Sequence, residues 1–165
     1  AVTAHRCRSR APSGVSNRQY ARRSAVALDE GAFMSEPRAW AVFESIFDRS
    51  PDELTPAELP LVAVCSVRQE VNSGGFDSYF RYSNGDTAPA AVEAAKAMGS
   101  SDLAALISQA IDRLGMESYP ADCSARESRI DDLDLAFDDL DEAFYALEAS
   151  DDLDARMETL ASRIA

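Results

Sequence analysis

Six apolar residues between positions 130 and 147 recur at alternating steps of three and four. They are Ile130, Leu133, Phe137, Leu140, Phe144 and Leu147. In an α-helix of about 3.6 residues per turn, this spacing places all six side chains on one face. The pattern therefore predicts one long amphipathic helix, since a strand would need an apolar residue at every second position.

The same stretch is strongly acidic. Seven of the twelve residues from Asp131 to Glu142 are Asp or Glu. On a continuous helix this is one negative charge per roughly 2.6 Å, against one per about 1.7 Å along duplex DNA. The net charge of the chain is −13, and residues 116–165 contribute −11, from four bases and fifteen acids. Such a chain repels nucleic acids and anionic membranes and attracts basic protein surfaces.

The rest of the chain from about residue 36 also has helical periodicity, interrupted by stop signals. Thr55–Glu58 reads as a capping box that starts a helix, and Asn72–Gly75 must end that helix because it contains two glycines. Ser100 or Ser101 is expected to cap one later helix, and Ser150 to cap the last. The predicted helices cover about 36–48, 56–71, 76–80, 89–98, 101–114, 130–147 and 151–164. The expected fold is all-α, a compact irregular bundle of six to seven helices over residues 36–165.

Residues 1–35 differ from the rest in composition. Residues 1–30 hold six Arg and two acids, and the segment has no apolar periodicity. Three interpretations stay open: a disordered basic tail, translation that really starts at Met34, or a transit peptide.

The cysteines and the hydropathy indicate a compartment. Cys7, Cys65 and Cys123 are far apart and form no CxxC pair, which argues against a disulfide scaffold or a zinc site. No apolar stretch approaches the roughly 20 residues of a membrane-spanning helix. We expect a cytoplasmic protein that does not contact membranes.

The sequence contains little that points to catalysis. The one histidine, His5, precedes the helical region, so that region has no histidine-based triad or metal centre. Asp131–Asp134 and Asp151–Asp154 lack the central glycine of a calcium loop. Asn72–Phe76 has neither the spacing nor the lysine of a phosphate-binding loop. We expect no catalytic residue, no cofactor and no metal.

One segment carries a family motif: Glu70-Val71-Asn72-Ser73-Gly74-Gly75-Phe76-Asp77-Ser78-Tyr79-Phe80, followed by Ser83-Asn84-Gly85-Asp86. It resembles the motif of the DNA-mimic protein (DMP-type) domain family, a bacterial group of unknown function, and the resemblance covers about residues 40–165. Ser73, Ser78 and Tyr82 depart from the family pattern, which has Asn, Gln and Asn there. The residues of this family motif are expected to be mainly structural: Glu70, Asn72, Gly74, Gly75, Phe76, Tyr79, Phe80 and Gly85.

The resemblance implies an all-α fold and, for the best-known type, a dimer whose acidic surface imitates DNA and occupies a transcription regulator. The acidity independently predicts a protein-binding module for a basic partner, without direct nucleic-acid binding. The residues predicted to bind that partner are Asp131, Asp134, Asp138, Asp139, Asp141 and Glu142.

Other functions stay open at this point. An immunity- or antitoxin-like inhibitor or an uncharacterised scaffold would show the same acidity. A weaker alternative is an enzyme or small-ligand binder with a pocket near Glu70, Tyr79 and Tyr82.

Overall fold

The computed structural model describes residues 37–120 and 122–164. Their seven α-helices are α1 (Arg38–Ile46), α2 (Glu58–Arg81), α3 (Ala88–Ala97), α4 (Ser101–Arg113), α5 (Cys123–Leu133), α6 (Asp138–Ser150) and α7 (Leu153–Ala161). Two 3-10 helices span Pro51–Glu53 and Ser83–Thr87. No strand occurs in this described part, which confirms the all-α prediction, and none of its helices is long and apolar enough to cross a bilayer. The predicted tail, residues 1–35, lies outside the described residues.

Helix α2 forms the centre of the bundle because its first half is buried on every side. Each residue from Leu61 to Arg68 is buried. The predicted capping box starts this helix: the Glu58 N–H donates to Thr55 Oγ1 over 3.3 Å, and the Thr55 N–H donates to the Glu58 carboxylate over 2.8 Å. These two bonds satisfy donors that would otherwise lack partners at the helix start.

Helix α2 bends at Gly75, where the sequence predicts a helix end. Gly75 has φ 73° and ψ −179°, a backbone region open essentially only to glycine. The chain becomes helical again at Phe76, so the predicted stop is a kink inside one element. The kink directs Phe76, Tyr79 and Phe80 into the core, where all three are fully buried.

The other helices pack around α2. Helices α3 and α4 form a hairpin that turns at Gly99 and lies beside α2. The second half of α2 packs against α5 and α6. There the ring centroid of Phe76 lies 6.2 Å from that of Phe80, 6.5 Å from Phe137 and 6.0 Å from Phe144, distances typical of favourable aromatic pairs.

Helices α1 and α7 pack against each other at the opposite end of α2. The Ala39 N–H donates to the Glu158 carboxylate over 2.9 Å, and Trp40 Nε1 donates to Asp154 Oδ1 over 2.9 Å. These contacts join α1 to residues more than a hundred positions later in the chain. Helix α1 is therefore part of the same folded unit.

The prediction of one long helix over residues 130–147 is wrong, because the stretch is divided between α5 and α6. Asp134 adopts the left-handed conformation (φ 49°, ψ 51°), and the Leu135 N–H closes the helix end by donating to Ile130 O over 3.1 Å. Leu133 is consequently 45 % exposed, although the heptad-like pattern assigns it to the core. The break instead brings the ring centroid of Phe137 to 5.5 Å from that of Phe80.

The two predicted serine caps have different outcomes. Ser100 occupies the N-cap position of α4 as predicted, but its hydroxyl donates to Asp151 Oδ2 over 3.4 Å and makes no capping hydrogen bond. The prediction for Ser150 is wrong. Ser150 is the last residue of α6, and its hydroxyl donates back to Ala146 O over 2.8 Å, as helical serines commonly do. Helix α7 is capped by Asp152, whose carboxylate accepts the Ala155 N–H over 3.0 Å.

Candidate partner-binding face

The six acidic residues predicted to bind a partner lie where α5 ends and α6 begins. Asp131 is in the last turn of α5, and Asp134 ends that helix. The other four lie in the first turns of α6. We call residues 131–142 the acidic corner. Because a loop separates the two helices, the carboxylates do not follow one helix axis, and the charge spacing expected for a continuous helix does not apply.

Two of the six carboxylates are neutralised by arginines from other helices. Arg81 on α2 reaches Asp131 over 2.8 Å and also pairs with Asp77. Arg113 on α4 donates hydrogen bonds to both carboxylate oxygens of Asp139, at 2.5 and 2.8 Å. The hydrogen bonds from Arg113 lower the pKa of Asp139 to about 2. These two pairs attach the corner to α2 and α4 and reduce the charge that it offers to a partner.

Asp141, one of the residues predicted to bind a partner, has a structural role in the fold. Its half-buried carboxylate accepts the Phe76 N–H over 2.8 Å, directly after the kink in α2. Burial raises the pKa of Asp141, while this hydrogen bond acts in the opposite direction. Gly75 leaves the space that the carboxylate occupies, because a Cβ at Gly75 would collide with Asp141.

Four acidic side chains of the corner remain exposed and form no ion pair or side-chain hydrogen bond with the described residues: Asp132, Asp134, Asp138 and Glu142. Asp132 is not among the residues that the sequence analysis predicts to bind a partner. Ionised carboxylates only accept hydrogen bonds, so this set suits a partner that supplies cationic donors. Within the described residues, no group of three or more His, Cys, Asp or Glu side chains is arranged to hold a metal ion.

The exposed side chain of Leu133 lies within this set of carboxylates along the chain. It is one of three large apolar side chains that are exposed in the described residues, with Met116 and Tyr145. The corner therefore combines unpaired negative charge with one large apolar side chain that is exposed among the described residues. This mixture is common at protein-binding surfaces, where a central apolar contact is surrounded by polar groups.

Six of the eight family-motif residues are buried, whereas Asn72 is half-buried and Gly74 is exposed. Phe76, Tyr79 and Phe80 are fully buried. Gly85 is buried against the chain, since a Cβ there would lie 2.7 Å from Tyr79 O. Asn72 Nδ2 donates to Arg68 O over 2.8 Å, one turn back along α2. Each of these contacts holds backbone or core in place.

Glu70 and Tyr79, proposed above as the edge of a ligand pocket, are packed into the fold. Glu70 is 6 % exposed, and its carboxylate accepts hydrogen bonds from Asn84 Nδ2 over 2.9 Å and from the Ser78 hydroxyl over 3.4 Å. Burial raises the pKa of Tyr79 well above its ordinary value. The polar atoms of Glu70 thus connect α2 to the 3-10 helix Ser83–Thr87.

Two buried arginines that sequence reasoning missed hold the helices together. Arg126 is fully buried; it donates to Phe80 O, Tyr82 O and Pro120 O at 2.8–2.9 Å and pairs with Asp86 at 2.6 Å. Arg68 donates hydrogen bonds to both carboxylate oxygens of Glu148 at 2.7 Å and forms a second ion pair with Asp154. The sequence indicated the burial of both arginines, because Arg68 follows an apolar run and Arg126 lies on the same helical face as Ile130.

Comparison with known families connects this arrangement to relatives. A family model described as DMP19-like protein matches residues 52–163, well over half of the chain. The chain belongs to the DMP19-like protein family. This membership confirms the resemblance that the family motif indicated. The matched region contains both the family motif and the acidic corner. A search of curated proteins and a search of solved structures each returned no match.

Proposed function

We propose that this DMP19-like chain is an acidic protein-binding module that occupies the basic, DNA-binding surface of another protein and so acts as a DNA mimic. The observation that carries the proposal is the set of four exposed carboxylates at the acidic corner that make no ion pair with the described residues. Membership of a DNA-mimic family supports it.

The arrangement of charge favours a partner with clustered Lys and Arg side chains. Asp138 and Glu142 are four residues apart on α6, so they repel each other by a few tenths of a kcal/mol. Asp138 gains from the helix dipole in the first turn, but Glu142 lies beyond the reach of that effect. A cationic partner would relieve this repulsion, and the gain would contribute to binding.

The partner that fits best is a DNA-binding protein such as a transcription regulator. Its surface already presents cationic groups spaced to meet phosphates, and such groups can accept carboxylates in their place. Electrostatic attraction of this kind accelerates association and weakens steeply with salt, because the Debye length falls from about 10 Å at 0.1 M to about 3 Å at 1 M.

The test uses a fourfold variant, D132N/D134N/D138N/E142Q, of the full chain. Asn suits the left-handed backbone at position 134, so the corner should keep its shape. The matched control, D48N/D52N/D112N/E117Q, removes four exposed acids elsewhere that make no ion pair with the described residues. Both variants change the net charge equally.

Each protein is used to capture partners from a lysate of its source organism at low and high salt. Captured proteins are identified and then tested for release of their bound DNA duplex by gel shift. We expect the wild type and the control to displace DNA at low salt and the fourfold variant to fail. A captured partner that is indifferent to salt and to the fourfold change, or that keeps its DNA, would contradict the proposal.

A further inference from the structure

An open groove lies between α4 and α6, beside the acidic corner. Its floor is formed by the partly buried side chains of Leu106 and Leu147, and its sides are formed by the small residues Ala105, Ala143 and Ala146. The groove has a volume of about 400 Å³ and is open to solvent. Small side chains along its edges allow a third helix to approach closely.

The two helices that form the groove run antiparallel. At one end the Ser100 hydroxyl, before α4, contacts Asp151, after α6; at the other end Arg113 pairs with Asp139. The lining residues extend from position 102 to 109 on α4 and from 143 to 150 on α6. At about 1.5 Å per residue each wall is roughly 10 Å long, which is the length of two helical turns.

The charge that lines the groove is negative. Asp102 lines one end, and no basic residue is among the lining residues in the described part of the chain. Glu142 lies next to Ala143 and one turn before Ala146 on α6. The nearest arginine along α4, Arg113, is already paired with Asp139. The complementary ligand therefore has an apolar stripe bordered by cationic side chains.

We infer that this groove receives a two-turn amphipathic helix of the basic partner, with apolar side chains against Leu106 and Leu147 and Lys or Arg side chains beside Asp102 and Glu142. The inference rests on the proposed function, because the helix belongs to the same partner that contacts the acidic corner. A second copy of this chain fits less well, since two grooves of a protein with a net charge of −13 would bring like charges together.

The probe is a synthetic peptide of about four helical turns, with Leu and Ala on one face and Lys on its flanks, labelled for fluorescence anisotropy. A scrambled peptide of the same composition has no apolar stripe. The groove variant is Ala146→Arg, and the matched control is Ala149→Arg. Both alanines are exposed on α6, but only Ala146 lines the groove. Circular dichroism verifies that both variants are folded.

We expect the amphipathic peptide to bind the wild type and A149R with dissociation constants within about twofold of each other, and A146R at least roughly tenfold more weakly. The scrambled peptide should bind at least roughly tenfold more weakly than the amphipathic one. Equal weakening by A146R and A149R, or equal binding of the two peptides, would overturn the inference and leave charge as the only attraction.

Sedimentation equilibrium tests the competing occupant. A dimer of the wild type that A146R dissociates and A149R does not would assign the groove to a second copy and overturn the inference. A failure here is distinguishable from a failure of the proposed function, because A146R leaves all four exposed carboxylates of the acidic corner in place, and the D132N/D134N/D138N/E142Q variant leaves every lining residue of the groove unchanged. Glu142 is the one residue that both proposals use.

Discussion

The carboxylate of Asp141 on α6 accepts a hydrogen bond over 2.8 Å from the backbone N–H of Phe76 on α2, which lies 65 residues earlier. The kink at Gly75 frees this N–H from the helical hydrogen-bond ladder. Asp141 thus caps the second half of α2 from another helix. The bond holds the start of α6, and with it the acidic corner, against the centre of the bundle.

Replacing Asp141 with Ala should destabilise the fold by about 0.5–2 kcal/mol, the usual effect of losing a helix cap. D141N should lose less, because the Asn side chain also accepts a hydrogen bond from an N–H at a helix start. Urea unfolding measures both changes, and E142Q on the same helix should stay within about 0.5 kcal/mol of the wild type. Equal stability of D141A and E142Q would show that the cap contributes nothing.

Gly75→Ala should destabilise by at least about 1–3 kcal/mol, because its φ of 73° with extended ψ is open essentially only to glycine. The added Cβ would also collide with the Asp141 carboxylate. A double-mutant cycle with D141A separates the two effects. The collision predicts that G75A does less harm in the D141A background, and strictly additive losses would attribute the whole effect to the backbone.

Arg126→Met should destabilise by about 3–5 kcal/mol, because it leaves Asp86 and three carbonyl oxygens without their cationic donor. Adding D86N should recover part of the loss by removing the unpaired charge. The control is R129M, since the Arg129 side chain is partly exposed and donates only to Leu114 O and Gly115 O. Thermal and urea unfolding of the three variants compare the sites.

Asp139 should make stability depend on pH at the acidic end. Its folded pKa of about 2 lies below the ordinary value of 3.8, so its contribution is complete above about pH 3.8 and disappears as the pH falls through 2. Urea midpoints between pH 5 and pH 2 should therefore fall less steeply for D139N than for wild type or D138N. Identical slopes in the three proteins would exclude a stabilising pair with Arg113.

The division between α5 and α6 can be tested with two leucines from the same apolar pattern. Leu133 is 45 % exposed and Leu140 is 4 % exposed. L133A should change the free energy of unfolding by less than about 0.5 kcal/mol, whereas L140A should lower it by about 2–5 kcal/mol. One continuous helix, with both side chains in the core, would instead give similar losses for both.

Local patterns in the sequence were sufficient for much of the fold. The capping box at Thr55 and Glu58 starts α2 as predicted, and the glycine pair marks the position of its kink. The apolar spacing identified most helical residues of the described chain, although it missed residues 123–129, the first seven of α5. These features depend on residues within a few positions of one another, so periodicity and turn chemistry reveal them.

Only the tertiary structure decided how the acidic section is used. The apolar stripe predicts a continuous helix, but burying Phe137 against Phe80 favours a left-handed break at Asp134. Arg113 and the Phe76 N–H then occupy Asp139 and Asp141. The sequence by itself determined an acidic, all-helical chain with the motif of its family. Which carboxylates stay available to a partner depends on contacts between residues far apart in the chain, and local spacing carries no information about such contacts.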